Sequence, residues 1–179
     1  MFKKEGPEKS WIDVNDVIDD LLVLVQSKIQ KETILLRTDL RRDIPPVPAG
    51  RIQLQQVLMN LVANAIEAMS GVTGRERVLV IRSEVGESAS VLASVKDTGT
   101  GIDPHNLDRI FEAFFTTKSE GMGMGLSICR SIIEGYGGRL WASRGETCGS
   151  SFFVALPTAE APQAALVSPN AVPEKRPLV

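Results

Sequence analysis

The chain has 179 residues, 43% of them hydrophobic, which suits one domain of ordinary size with a sizeable core plus tails. Its 20 basic and 22 acidic residues leave a net charge of −2, so neither a nucleic-acid backbone nor an anionic membrane is an expected partner. No apolar run approaches the ~18 residues of a membrane span, and the N-terminus lacks the pattern of a secretion signal. The expected location is the cytoplasm.

Two cysteines, Cys129 and Cys148, have neither metal spacing nor the density of a disulfide framework and read as reduced and structural. Residues 1–10 are polar, contain Gly6 and Pro7, and read as an entry linker. Asp13 is placed to cap a first helix, in which Val14, Val17, Ile18, Leu21, Leu22, Val25 and Ile29 recur at threes and fours. A short strand is predicted over 34–40, and Pro45, Pro46 and Pro48 forbid helix until after Gly50.

From Arg51 to Met69 the residues Leu54, Val57, Leu58, Leu61, Val62, Ala65, Ile66 and Met69 keep one continuous apolar face, which predicts a second helix. Asn60 and Asn64 fall about 40° apart on its polar stripe, with Gln56 and Glu67, beside the core face. Gly71 and Gly74 end that helix. VLVI (78–81) and VLASV (91–95) read as paired strands joined near Gly86. Period-two alternation puts Asp97 on the side of Val91, Ala93 and Val95, so a carboxylate faces the core layer where the strand ends.

A short helix is predicted over 105–112 and another near 124–136, with Leu126, Cys129, Ile132, Ile133 and Tyr136 inward. The strands RLWAS (139–143) and SFFVAL (151–156) follow, and the tail 158–179, with four prolines, has little to bury and reads as disordered. This order predicts an α/β two-layer sandwich, one mixed, mostly antiparallel sheet against three helices.

Four segments carry the chemistry. A pair of helix asparagines is commonly a solvated face, DTGTGID (97–103) alone could be a turn, and GMGMGLS (121–127) alone a flexible loop. In this order, with FEAFFTTK (111–118) between the last two, they are specific. They resemble the N, G1, F and G2 boxes of the catalytic and ATP-binding domain of sensor histidine kinases, in the superfamily shared with gyrase, the heat-shock chaperones of that fold and the mismatch-repair ATPases. The resemblance covers residues 11–157, and the EAM and TTK strings are similar to the nitrogen-regulatory and oxygen-sensing subclass.

The resemblance implies a Bergerat-type fold over 11–157 that binds ATP and Mg2+ and donates the γ-phosphate to a histidine on a separate dimerisation domain of the same kinase. A response regulator would take the phosphate next. Asp97 would accept the adenine amine, Gly99 and Gly101 would let the backbone approach base and ribose, and Ile102 would pack on the adenine. Asn64 would supply its oxygen to Mg2+, which prefers oxygen ligands, and Asn60, one turn earlier, would lie toward the phosphates. Gly121, Gly123, Met124, Gly125 and Leu126 would hold phosphate oxygens with their amides at a helix N-terminus. Unlike a Rossmann or Walker loop, this glycine run is not preceded by a strand. Thr116, Thr117 and Lys118 would meet the terminal phosphate, and Ser150 stands where the family commonly has a threonine near the adenine-reading acid.

Residues between Gly101 and Gly121 resemble the ATP lid, with Phe111, Phe114 and Phe115 anchoring it and touching the helix that bears the acceptor. Gln56 and Glu67 read as helix-surface groups. Ala113 replaces the family's common proline and leaves the lid bend less fixed. Asn60 occupies the position where hydrolytic members of the superfamily carry a glutamate base. An amide cannot take a proton from water, whereas a neutral imidazole already offers a lone pair and needs positioning more than a base. Asn60 and Lys118 are the catalytic candidates.

The acceptor would stand on a helical hairpin that these residues do not contain. His105, the only histidine, sits at the start of the lid and reads as a solvated loop residue. The chain therefore reads as the catalytic half of a larger kinase, monomeric by itself. Two other classes remain open: a nucleotide-binding module without chemistry, and a hydrolytic ATPase or serine kinase of the superfamily.

Overall fold

The computed structural model describes residues 9–118 and 122–159. In chain order the elements are β1 (Ser10–Ile12), α1 (Val14–Lys31), β2 (Leu35–Leu40), β3 (Val47–Ala49), α2 (Arg51–Ser70), β4 (Val78–Gly86), β5 (Ser90–Asp97), α3 (Gly125–Gly135), β6 (Arg139–Arg144) and β7 (Ser150–Pro157). Five strands form one sheet in the order β2-β4-β5-β7-β6. β2 runs parallel to β4 and the other pairs are antiparallel. The three helices cover one face, so the core lies in a single layer between them and the sheet.

The two long helices are held in different ways. The Asp13 carboxylate accepts the Asn15 amide at 2.8 Å and caps α1, while Val14, Val17, Ile18, Leu21, Val25 and Ile29 form its buried stripe. α2 starts at Gly50 without a side-chain cap and buries all eight apolar residues of its predicted face. Packing rather than capping holds it. On the sheet, Leu79, Ile81 and Ser83 of β4 and Val91, Ala93, Val95 and Asp97 of β5 alternate inward. The Ser83 hydroxyl, buried on that face, donates to the Asn15 side chain, whose amide donates to the Arg41 carbonyl at 2.8 Å.

Three expectations change. The segment 105–112 is not one helix but two 3₁₀ turns, Pro104–Asn106 and Arg109–Phe111, the first capped by Asp103. It buries only Phe111 fully, too little apolar surface to hold a continuous helix. The entry segment is not wholly linker, because Ser10–Ile12 pairs antiparallel with Val47–Ala49. Pro48 sits in that second strand opposite Trp11, as a two-stranded ribbon with free edges allows. At the other end, Thr158 is buried and bonds the Ala89 carbonyl from its amide and its hydroxyl, both at 2.9 Å. The tail read as disordered lies, from 160 onward, outside the described residues.

Candidate functional site

Asp97 ends β5 with its side chain in the core layer, 1% exposed. Its Oδ1 accepts the Gly99 amide at 2.7 Å, and the Ser150 backbone also bonds the carboxylate. Burial pushes this acid above its ordinary value, more than the two amides pull it down. Since an ionised carboxylate has about four acceptor positions, two amides leave room for a further donor.

The glycine loop after Asp97 is pressed against α2 and the β6–β7 hairpin. A Cβ on Gly99 would stand 2.6 Å from the Ala68 carbonyl oxygen, so no other residue fits without moving the backbone. The Thr100 amide bonds that same oxygen at 3.1 Å, and the Arg75 guanidinium bonds the carbonyls of Thr98 and Gly99 from outside. Arg75 was not legible beforehand, being a charged residue in a turn. Gly101 and Ile102 follow, half-buried, with Ile102 packed on the core, and Ser150, buried, opens β7 across the hairpin. A cleft of about 380 Å³ lined by Arg75, Gly99–Gly101 and residues 144–149 adjoins this loop, but Asp97 and Asn64 are not among its walls.

Asn60 and Asn64 lie on the stripe of α2 that borders the lid. Lys118 Nζ reaches both Asn64 Oδ1, at 3.3 Å, and Glu67 Oε2, at 2.5 Å. Glu67 is therefore not a merely solvated surface group, whereas Gln56 is exposed. The Asn64 oxygen and the Glu67 carboxylate already share one cation, the ammonium. A carboxamide oxygen already placed on a cation is the donor chemistry a hard divalent ion takes, so Asn64 fits Mg2+. Asn60 points elsewhere, its Nδ2 donating to Cys129 Sγ on α3 at 3.3 Å.

The lid phenylalanines divide. Phe111 is buried edge-on against Phe152, centroids 6.3 Å apart, with Arg130 over its other face, so it is the anchor. Phe115 is half-buried under Arg109. Phe114 is 76% exposed at φ +66° and anchors nothing. Its amide bonds the Gly123 carbonyl at 2.9 Å, closing the lid on itself. At Gly123, φ is +67° and an added Cβ would lie 2.6 Å from Phe114 and Phe115 backbone atoms, so this turn needs glycine.

Thr116 Oγ1 accepts the Lys118 amide at 3.0 Å, and Thr117 is exposed beside it. Met124 precedes α3 and Gly125 begins it, with no side chain capping the first turn. The amides of Gly125 and Leu126 stay available for an anion. Gly121 lies outside the described residues. His105 is exposed in the first 3₁₀ turn.

The family model for the histidine kinase-, DNA gyrase B- and HSP90-like ATPases matches residues 49–160. The chain belongs to this family. Within this ATPase family its relatives are sensor histidine kinases. The sensor protein TdiS of Thauera aromatica is 40% identical over 155 residues, 86% of this chain and 28% of TdiS. The catalytic domain of histidine kinase ThkA superposes with a TM-score of 0.73 at 37% identity, over 84% of this chain and 96% of that one. ThkA in complex with the response regulator protein TrrA gives a TM-score of 0.71 at 35% identity, over 85% of this chain and 42% of that one. This ATPase-family chain is thus a histidine kinase catalytic domain of the sensor type, less than a third the length of TdiS. Among the described residues no helix is long and apolar enough to cross a membrane.

Proposed function

We propose that this domain binds ATP with Mg2+ and donates the γ-phosphate to a histidine on a separate dimeric helical domain of the same kinase, from which it passes to an aspartate of a response regulator. The observation that supports this reading best is that two candidate groups meet the same helix: the loop after the buried acid Asp97 packs on α2 at Ala68, and the lid cation Lys118 bonds the Asn64 oxygen of α2. That ThkA is solved with its response regulator supports the second transfer.

In this reading the Asp97 carboxylate takes the adenine amine as donor and repels guanine, which presents a carbonyl there. Gly99, Gly101 and Ile102 form the wall for base and ribose, with Ser150 at its edge. Asn64 would hold the metal, which when bound neutralises phosphate charge. Met124, Gly125 and Leu126, with Gly121 and Gly123, offer amides to the phosphates. Lys118 swings from Glu67 to the terminal phosphate, with Thr116 and Thr117 beside it. Asn60 lacks the basicity to activate water, so the nucleotide is held for an imidazole rather than hydrolysed.

The test mixes this chain with a separately produced histidine-bearing hairpin of its kinase and γ-labelled ATP. Label on the hairpin histidine is expected. Label released as free phosphate would instead establish a hydrolytic ATPase, and binding with neither outcome a module that only orders its lid.

A further inference from the structure

Asn60 and Cys129 sit on facing helices, and the contact between them fixes which way a carboxamide points. Asn60 Nδ2 lies 3.3 Å from Cys129 Sγ, and that sulfur lies 4.0 Å from the carbonyl oxygen of Val57, one turn before Asn60 on α2. Cys129 is fully buried at 0% exposure. A thiol carries one hydrogen and weakly accepting lone pairs. With its S–H directed at the Val57 carbonyl, the sulfur turns lone pairs toward Asn60, and only the amino end of the carboxamide can bond them.

The group is planar, so its oxygen cannot face Cys129 while Nδ2 does. Among the described residues this is the one hydrogen bond of that side chain. Loss of solvent around Cys129 pushes its thiol up, so it keeps its proton at neutral pH and the S–H donor persists.

We propose that Cys129 is a positioning residue that spends Nδ2 of the Asn60 carboxamide in the α2–α3 seam and leaves Oδ1 as its free end, an acceptor for the N–H of the incoming imidazole or for a metal-bound water rather than for phosphate oxygens. The helix that follows the lid thereby sets the orientation of the residue standing in the hydrolytic-base position. A valine at 129 would fill the space and leave the amide free to rotate, so that the NH2 end replaces the oxygen acceptor part of the time. The functional half rests on the reading of Asn60 above, while the geometric half stands apart from it.

The test uses the 179-residue chain with Cys129→Val and Cys129→Ser, each alone and combined with Asn60→Ala. The Asn60 side-chain amide resonances, identified by their loss in Asn60→Ala, should be distinct in the parent chain and in Cys129→Ser, and collapse to those of a solvated asparagine in Cys129→Val. In transfer to the separate hairpin, Cys129→Val should lower kcat about threefold to tenfold, with KM for ATP within about twofold, and Cys129→Ser should restore at least half the rate. In the Asn60→Ala background Cys129→Val should change nothing further.

Asn60 resonances unmoved by Cys129→Val, or an equal rate loss in the Asn60→Ala background, would overturn the inference and leave Cys129 a packing residue. Undiminished transfer by Asn60→Ala alone would remove the reading of Asn60 itself, while a shifted amide would still uphold its fixation by the thiol.

Discussion

Lys118 Nζ lies 2.5 Å from Glu67 Oε2 and 3.3 Å from Asn64 Oδ1, tying the segment that follows Phe111 to α2, and in the proposed function this tie is broken when a nucleotide enters. The pair is 42% and 55% exposed, so breaking it costs at most about 1 kcal/mol. Glu67→Gln should therefore leave the melting temperature nearly unchanged and tighten ATP binding by no more than about fivefold, since the lysine no longer has to be taken from a carboxylate. Calorimetric titration with ATP checks this. Weaker binding would show that Glu67 serves the nucleotide directly.

Removing the lid cation separates binding from transfer. Lys118→Ala should lower phosphoryl transfer about tenfold to a hundredfold, on the order of 1.4 to 2.8 kcal/mol, while ATP affinity falls much less. Single-turnover transfer to the hairpin beside equilibrium titration gives both numbers.

Asp97→Asn should weaken ATP binding about tenfold to a hundredfold, the equivalent of one charge-assisted hydrogen bond of about 1.5 to 3 kcal/mol. Its pH dependence has a definite sign. Because burial raises the acid in the free domain, protonation removes the ionised acceptor at a higher pH than for an ordinary aspartate. Affinity should fall as pH drops through that raised value, and ATP binding should release protons near it. For folding the sign is opposite to that of a salt-bridged aspartate. The ionised form costs stability above the folded value, and that cost disappears below the unfolded one. Comparing parent and Asp97→Asn at each pH cancels the titration of ATP itself, and parallel curves would argue against the assignment.

Asn64→Ala should remove the benefit of magnesium and little else. In the parent chain ATP affinity should be greater with Mg2+ than with a chelator, and the variant should bind equally under both conditions. A persisting magnesium dependence would place the ion on other oxygens.

Leu61, at 0% exposure in the middle of α2, tests the packing that holds the site helix. Leu61→Ala should cost about 2 to 5 kcal/mol, a large drop in melting temperature that ATP only partly restores.

Much of this site could be read from the residues. Alternation along β5 puts Asp97 in the core layer, and the apolar period of α2 places Asn60 and Asn64 on one edge, because both arguments are local. Contacts between distant residues left no such trace. Lys118 and Glu67 are 51 residues apart and Asn60 and Cys129 are 69 apart, so neither pair could be inferred from spacing. The three-residue strands Ser10–Ile12 and Val47–Ala49 are too short for a period to show, and one contains a proline that argues against a strand. Residues 104–111 have helical composition but little apolar surface to bury, and tertiary context broke them into two turns.

The most direct measurement is the crystal structure of this chain with a nonhydrolysable ATP analogue and Mg2+. The expected structure has the adenine amine on the Asp97 carboxylate, the metal on Asn64 Oδ1 and Lys118 moved from Glu67 to the terminal phosphate. An analogue bound elsewhere, or a base turned away from Asp97, would contradict it.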